Sequence, residues 1–384
     1  MGQGNVIAVT TFGASGIIPA LWSRGRSEER LRGTGEDMRL TTLWVRYARL
    51  LRLGVRAIVD PNHPILAHLI PMRRCNLSCG YCNEFDSVSE PVPLEVMRRR
   101  VDRLAALGTG VVTISGGEPL MHPELEAIVA RVRERGMVAT LITNGYYLSR
   151  ERIERLNRAG LDHLQISIDN VEPDDVSMKS LRLLEPKLKW LAELRQFSVS
   201  INSVLGSGVR NPEDAIAIVR RARELGFTTS LGIVHDQKGQ LRPLGEREMA
   251  IFREITALAP RLGPHSWNVK FQTNLALGLP NQWSCRAGSR YLYVDELGVV
   301  HYCSQQRGVP GVPLEAYTLE HVKREYHTKK ACAPYCTVNC VQQVAVADNW
   351  RHPQTLIARL PSRPVIVHPV PVRVTTADDG TVTG

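Results

Sequence analysis

Apolar residues follow a regular alternation of two spacings from residue 67 onward. Short strand-like runs lie at 67–72, 110–115, 137–143, 162–168, 197–204 and 228–234. Amphipathic helical patterns follow these runs, at about 93–107, 122–135, 150–159, 177–195, 212–225 and 244–258. Repeated strand–helix units predict a parallel sheet with right-handed crossovers, and six units are too few for a closed eightfold barrel.

The segments that flank this alternation differ in composition. Residues 1–37 are rich in Gly, Ser, Thr and charge, so we expect disorder there, and Met38 is a candidate for the true start. Residues 38–65 carry a basic amphipathic helix that could either lie on a membrane or cap the end of the sheet. The remaining predicted units are a strand–helix domain, a cysteine-bearing domain and a tail, at 66–260, 261–350 and 351–384.

The chain of 384 residues carries a net charge of +10, which raises the question of a nucleic-acid partner. Much of the charge is arginine on predicted helices, as in 98–100 and 220–223. We expect such runs to be solvated faces, so no specific nucleic-acid partner is predicted. No apolar run reaches transmembrane length. A cytoplasmic protein is expected, with peripheral contact to anionic lipid as an open alternative.

Three cysteines follow the first strand-like run, and their spacing is the main chemical signal in the chain. Cys75, Cys79 and Cys82 are arranged C-x3-C-x2-C, which offers three thiolates from one short loop. Three protein ligands on a four-iron cluster leave one iron open, whereas electron-transfer clusters usually have four cysteine ligands. Zinc sites usually add a second cysteine pair, and none follows within the next hundred residues. The spacing favours an iron–sulfur cluster with an open iron, and structural zinc is the alternative.

A second motif strengthens this interpretation. The next strand-like run ends in Gly116-Gly117-Glu118-Pro119. Together with C-x3-C-x-aromatic-C, in which Tyr81 is the aromatic residue, this motif makes residues 66–345 resemble the radical S-adenosylmethionine (SAM) superfamily. The resemblance implies an α/β fold, a partial (β/α)6 TIM-like barrel, with a small cysteine-rich C-terminal extension.

The resemblance also implies an activity. A [4Fe-4S] cluster would cleave SAM reductively, and the resulting 5′-deoxyadenosyl radical would remove hydrogen from a substrate. An electron donor such as flavodoxin or ferredoxin is implied as a partner.

The candidate motifs of the barrel fall at the carboxyl ends of predicted strands, where catalytic groups of parallel barrels collect. The third predicted strand ends at Thr143-Asn144-Gly145, and the fourth ends at Ser167-Ile168-Asp169. By resemblance, the Gly-Gly turn receives the amino group of SAM and Tyr81 lies by its adenine. A turn or helix cap is the alternative role for Ser167 and Asp169. The implied cofactor-binding set is Tyr81, Gly116, Gly117, Glu118, Asn144, Ser167, Asp169 and Asn202.

Five further cysteines lie near the C-terminus. Cys285, Gly298 and Cys303 follow C-x12-G-x4-C around a hairpin-like segment, 291–302, which resembles the opening of a SPASM or Twitch extension. Cys332, Cys336 and Cys340 follow as C-x3-C-x3-C, either on one helical face or, because of Pro334, starting in a loop. We expect one auxiliary iron–sulfur cluster with one spare thiol, and structural zinc is the alternative. Which thiol is spare is open, and three ligands would leave a second open iron.

The substrate does not follow from the sequence. Small molecules, lipids and peptides all fit, including hopanoid-like lipid adenosylation, so the reaction subclass stays open. Ser200 stands where a GTP-binding lysine occurs in the related molybdenum-cofactor synthase, which disfavours that activity. The second class of hypothesis is a non-catalytic interaction protein that binds zinc or an iron–sulfur cluster.

Overall fold

A computed structural model describes residues 49–80, 82, 84–206, 209–235, 241–258, 264–348 and 350–351. Tyr81, the predicted disordered N-terminus and almost all of the predicted tail lie outside these described residues. The domain boundaries predicted from the sequence stay predictions.

Six parallel strands form the first part of the sheet and confirm the predicted alternation. They are β1 (Leu66–Leu69), β2 (Val111–Ile114), β3 (Val138–Thr143), β4 (His163–Ser167), β5 (Ser198–Gly206) and β6 (Thr228–Val234). Each pairs in parallel with the next one along the chain. The sheet does not close on itself, since β6 is its edge, and this agrees with the predicted partial barrel.

Helices separate the strands where the apolar spacing predicts them. A first helix, α1, covers residues 49–59 of the described chain. The helices that follow the six strands are α2 (Leu94–Ala106), α3 (Leu125–Glu134), α4 (Arg150–Ala159), α5 (Leu181–Leu194), α6 (Asp214–Glu224) and α7 (Glu246–Ala257). Ser149 caps α4 by accepting a hydrogen bond from the backbone N–H of Arg152, and Gly160 ends that helix in the left-handed conformation.

The C-terminal segment extends the same sheet. It contains α8 (Pro264–Ala276), β7 (Tyr291–Val294), β8 (Val299–His301), β9 (Pro310–Pro313), α9 (Leu319–His327) and α10 (Asn339–Ala345). The predicted hairpin is confirmed by the antiparallel pairing of β7 with β8. In addition, β7 pairs in parallel with β1, so the strand order is β6-β5-β4-β3-β2-β1-β7-β8-β9. The cysteine-bearing segment is therefore joined to the barrel edge beside the first cysteine loop.

One arginine corrects the expectation that the arginine runs are solvated faces. Arg100, on α2, is buried and donates to the backbone carbonyls of Asp295 and Glu296 in the β7–β8 turn. The Asp295 carbonyl also accepts a hydrogen bond from Gly298 N at 3.0 Å, so the guanidinium adds a second donor to a carbonyl that already closes the turn. Arg100 therefore fastens the hairpin to the barrel.

The first helix packs against the amino end of the sheet. Leu53 and Arg56 approach Gly110 and Gly108, which precede β2. The buried Arg290 donates to carbonyl oxygens at the end of this helix and beyond it, including those of Ala57, Asp60 and His63. The described part of the predicted amphipathic helix thus caps the barrel end, and its contact with a membrane stays a prediction. Among the described residues, no helix has the length and hydropathy that a membrane crossing requires.

Successive side chains of each strand point to opposite faces of the sheet, and these two faces differ in polarity. Outward residues such as Leu69, Ile114 and Leu141 form the apolar core beneath the helices. The inner face is polar: the Thr113 and Thr140 hydroxyls lie 2.6 Å apart, and both His163 ring nitrogens contact serine hydroxyls. The inside of the partial barrel is therefore suited to polar ligands.

Candidate active site

Backbone hydrogen bonds fix the first cysteine loop at the carboxyl edge of the sheet. Cys75 N donates to Asp86 O at 3.0 Å, and Asp86 N donates to Arg73 O at 3.0 Å. Within the loop, Cys82 N donates to Cys79 O, and Gly80 N donates to Val176 O in the loop after β4. The loop is therefore held at its base and at its tip.

The Gly-Gly turn after β2 packs directly on the base of this loop. Gly117 N donates to Met72 O at 3.2 Å, and Glu118 N donates to Arg74 O at 2.9 Å. Gly116 has φ +121°, a conformation that side chains disfavour. A Cβ on Gly117 would lie 2.2 Å from Arg73 O. Both glycines are thus required by the close approach of two backbones.

Glu118 joins the ends of two neighbouring strands. It is fully buried, and its carboxylate accepts hydrogen bonds from Thr143 Oγ1 at 2.6 Å, Asn144 N at 2.8 Å and Leu120 N at 2.9 Å. Burial raises the pKa of this carboxyl group, against the opposing effect of these hydrogen bonds. Both oxygens serve protein donors, so Glu118 positions the strand ends, and its predicted contact with SAM stays a prediction.

Asn144 connects the third strand to the cysteine loop. Its side-chain Nδ2 donates to Asn76 Oδ1 at 2.8 Å and lies 3.8 Å from Cys75 Sγ. Its Oδ1 accepts from Tyr146 N at 3.1 Å. Asn144 is therefore next to the thiols, in agreement with the predicted shared site.

A buried chain of polar side chains extends from Cys79 to the fourth strand. Cys79 Sγ lies 3.6 Å from Ser177 Oγ, and this hydroxyl donates to Asp169 Oδ2 at 2.7 Å. Lys179 Nζ is 3.6 Å from the same carboxylate oxygen. The predicted residue Asp169 thus lies behind the cysteine loop.

Burial and neighbouring charges both act on the thiols of the first cysteine loop. Burial is the largest cause that raises the pKa of Cys75, and it raises the pKa of Cys82 to about 11. The charge of Cys79 raises both values further, whereas the charge of Lys179 lowers them. The Cys75 and Cys82 thiols are therefore protonated at neutral pH, and a metal must displace their protons to bind.

Ser167 and Asn202 face each other on neighbouring strands. The register of β4 and β5 pairs them, and Ser230 Oγ donates to Asn202 Oδ1 at 2.8 Å. Both positions alternate with outward core residues such as Ile166 and Ile201, so they lie on the inner face of the barrel. Their predicted roles in SAM binding are compatible with this location and stay predictions.

The structure decides between one helical face and a loop for Cys332, Cys336 and Cys340. Cys332 precedes a short 3-10 turn, Ala333–Tyr335, whereas Cys336 has an extended backbone and Cys340 lies in α10. The three thiols are thus not on one helical face, because Pro334 directs the chain into a turn. No three His, Cys, Asp or Glu side chains in the described ranges form a site for a single metal ion.

Ser177 and Lys179 are neighbours of the thiols that the sequence analysis did not identify. They lie in the loop between β4 and α5 and belong to none of the motifs. The available signal was their location after the predicted site residues Ser167 and Asp169, in the connection between β4 and α5.

Comparison with known proteins agrees with this geometry. The model of the radical SAM superfamily matches residues 69–236. PqqA peptide cyclase of Granulibacter bethesdensis is 35% identical over 120 residues, 30% of this chain and 32% of that protein. PqqA peptide cyclase of Methylorubrum populi is 26% identical over 275 residues, 67% of this chain and 70% of that protein. AdoMet-dependent heme synthase of Methanosarcina barkeri is 31% identical over 159 residues, 40% of this chain and 45% of that protein.

The crystal structure of Streptococcus suis SuiB bound to the precursor peptide SuiA shares the fold. Its TM-score is 0.54 at 17% identity, with 79% of this chain and 75% of that chain covered. The motifs, the fold and the family match together identify residues 69–236 as a domain of the radical SAM superfamily of enzymes, and the cysteine-rich segment that follows it is SPASM-like. That family uses SAM and a [4Fe-4S] cluster.

Proposed function

We propose that this protein cleaves SAM reductively at a [4Fe-4S] cluster held by Cys75, Cys79 and Cys82. The observation that carries the proposal is the meeting of these three thiols with the Gly-Gly turn at one edge of the sheet. A reduced cluster held there would supply one electron to the sulfonium of SAM, and the products would be methionine and a 5′-deoxyadenosyl radical that could remove hydrogen from the substrate. Three cysteines suit this chemistry because they leave one iron without a protein ligand.

The residues around the thiols would hold and orient SAM. Gly116 and Gly117 expose backbone next to the cluster loop, which suits the amino group of the methionine part. Ser167 and Asn202 offer polar groups on the inner face of the barrel for the ribose or carboxylate, and Asp169 stands behind them. Lys179 would add a positive charge close to the anionic cluster and the carboxylate of SAM. Tyr81, which lies outside the described residues, is proposed to contact the adenine.

We further propose that the substrate is a peptide. The match to a peptide cyclase extends over 67% of this chain, whereas that to heme synthase covers 40%. The polar inner face of the barrel suits a peptide better than an apolar lipid. The proposal includes one auxiliary cluster on the C-terminal cysteines and a flavodoxin or ferredoxin as electron donor.

The test uses the full chain, reconstituted with iron and sulfide without oxygen. With SAM and dithionite, we expect equal amounts of 5′-deoxyadenosine and methionine, and loss of both products in Cys79→Ala. Lys189→Met is the control, since that side chain is exposed on α5. A wild-type protein that carries its cluster but leaves SAM intact would contradict the proposal.

The substrate class needs a second experiment. Short peptides encoded beside the gene are incubated with the active enzyme, and their masses are compared with and without SAM. We expect a mass change that depends on SAM. Conversion of a lipid in vesicles, with every such peptide unchanged, would contradict the peptide proposal.

A further inference from the structure

The first helix, α1, carries an apolar stripe that faces away from the protein. Leu51, Val55 and Val59 follow one another at intervals of four residues, which places them on one side of the helix. Their exposed fractions are 53%, 51% and 70%. Single exposed apolar side chains are ordinary on a protein surface, whereas a continuous row of them marks a site of interaction. The stripe therefore has the character of a contact surface.

The opposite side of α1 is already occupied by the barrel. Ala57 is buried, and Leu53 packs so closely that a Cβ on Gly110 would lie 3.0 Å from Leu53 Cδ2. Arg290 donates to the Ala57 carbonyl oxygen from within the protein. The helix is thus fixed by its inner side, and the stripe cannot turn inward unless α1 detaches from the barrel.

Trp350 adds an aromatic side chain near the end of α1. Its exposed fraction is 58%. The next residue, Arg351, donates to Ile58 O, and its guanidinium carbon lies 4.5 Å from the centre of the Trp350 ring. Arg351 is also paired with the buried Asp348 at 2.8 Å, which holds this corner in place. Indole rings are enriched where proteins meet the boundary between water and hydrocarbon.

The charge of this segment indicates the kind of partner. Arg52 and Arg56 are exposed, and each directly follows a residue of the stripe. They therefore lie along one flank of it. The sequence from residue 38 to 59 contains five arginines and no acidic residue. An apolar stripe bordered by arginines is complementary to a surface whose apolar interior lies beneath a layer of negative charge.

We propose that α1 is a membrane-docking helix, which lays Leu51, Val55 and Val59 into the headgroup region of an anionic bilayer. The long side chains of Arg52 and Arg56 reach the lipid phosphates while the stripe contacts the acyl chains. Binding strength in such helices is the sum of the buried apolar area and the attraction to anionic lipid. A stripe of this length therefore gives reversible attachment that depends on both contributions.

The location of α1 determines how the attached protein faces the bilayer. The helix packs near Gly108 and Gly110, which precede β2, whereas Cys75 and Gly117 follow the carboxyl ends of β1 and β2. The docking surface and the candidate active site are therefore at opposite ends of the sheet. A bilayer bound by α1 leaves the site open to water, so attachment does not depend on the cluster or on SAM.

The test measures flotation of the full chain with vesicles, either of phosphatidylcholine alone or of phosphatidylcholine mixed with phosphatidylglycerol. We expect binding to the mixed vesicles that is about tenfold tighter than to the neutral ones and that weakens as salt is raised. Leu51→Asp should weaken binding about tenfold, because it removes apolar area and adds a repelled charge. Arg52→Gln should weaken it about fivefold.

Matched controls replace the same residue types elsewhere. Leu183→Asp changes a leucine of α5 that is 43% exposed, and Arg98→Gln changes an exposed arginine of α2. Both should bind vesicles like the wild type. Circular dichroism monitors folding, and if Leu51→Asp is unfolded, Leu51→Gln is measured in its place.

Four results would overturn the proposal. The first is a wild-type protein that stays in solution at every lipid concentration, and the second is equal weakening by Leu51→Asp and Leu183→Asp. A dimer that light scattering shows to be lost in Leu51→Asp would assign the stripe to a second copy. Flotation only after deletion of residues 352–384 would assign it to that segment. Failure of SAM cleavage in a protein that floats would contradict the proposed function alone.

Discussion

Gly117→Ala tests how closely the Gly-Gly turn packs on the cysteine loop. The new Cβ would lie 2.2 Å from Arg73 O and 2.3 Å from Arg74 O. Real Cβ contacts stay above 3.0 Å, so one of the two backbones must move by at least 0.8 Å, the difference between 3.0 and 2.2 Å. Overpacking of this kind costs about 1–3 kcal/mol, and the upper end applies because the obstacle is backbone. The displaced backbone leads directly into Cys75, so the cluster should also be bound less well.

Two assays measure these effects. Urea denaturation of the metal-free protein gives the free energy of unfolding, and iron per chain after anaerobic reconstitution gives cluster retention. Gly54→Ala is the matched control, since a Cβ there meets nothing within 4 Å and alanine favours a helix by up to about 1 kcal/mol. Wild-type stability together with wild-type iron content in Gly117→Ala would refute the packing argument.

Three further predictions concern Glu118, Lys179 and His68, which is a buried histidine of β1. Glu118→Gln should lower the free energy of unfolding by about 1–3 kcal/mol, because the new amide NH2 group would face a hydrogen-bond donor, either Thr143 Oγ1 or Asn144 N. An unchanged urea midpoint would contradict this prediction. Lys179→Met should raise the pKa of Cys75 and Cys82 and therefore shift iron loading to higher pH. The exposed control Lys189→Met should leave the pH dependence of iron loading unchanged. Equal loading curves for the two variants would contradict this prediction. Burial lowers the pKa of His68 from 6.5 to about 4, so its stabilising effect is present above pH 6.5 and is lost as the pH falls towards 4. The free energy of unfolding of the metal-free protein should fall by about 3 kcal/mol over this pH range. Urea titrations at pH 7 and pH 4.5 should show a smaller decrease in His68→Gln than in the wild type.

The alternation of spacings was sufficient to predict the first six strands and the helices between them. Local signals determine such units: the helix Arg150–Ala159 has its apolar residues on one side, a serine cap and a terminal glycine. The location of motifs at strand ends also followed, since parallel strands align their carboxyl ends. This is why Asn144 could be placed near Cys75 before the contact between them was known.

Long-range contacts did not follow from the sequence. The parallel pairing of β7 with β1 joins residues more than two hundred positions apart, and nothing local in Tyr291–Val294 specifies its partner. Arg100 was expected in solvent because its arginine neighbours are polar, yet its guanidinium is bonded to a distant turn. Ser177 and Lys179 lie in an irregular loop, whereas the apolar spacing predicts a helix from residue 177; the helix begins only at Leu181, where Ser180 provides the cap.

The central claim is that one iron of the cluster at Cys75, Cys79 and Cys82 is open and binds SAM. EPR of the reduced, reconstituted protein tests it directly, with the triple alanine variant of these cysteines used to subtract any signal from the extension. We predict a [4Fe-4S] signal whose g-values change when SAM is added. A signal that is indifferent to SAM, or zinc in place of iron at these three cysteines, would contradict the account.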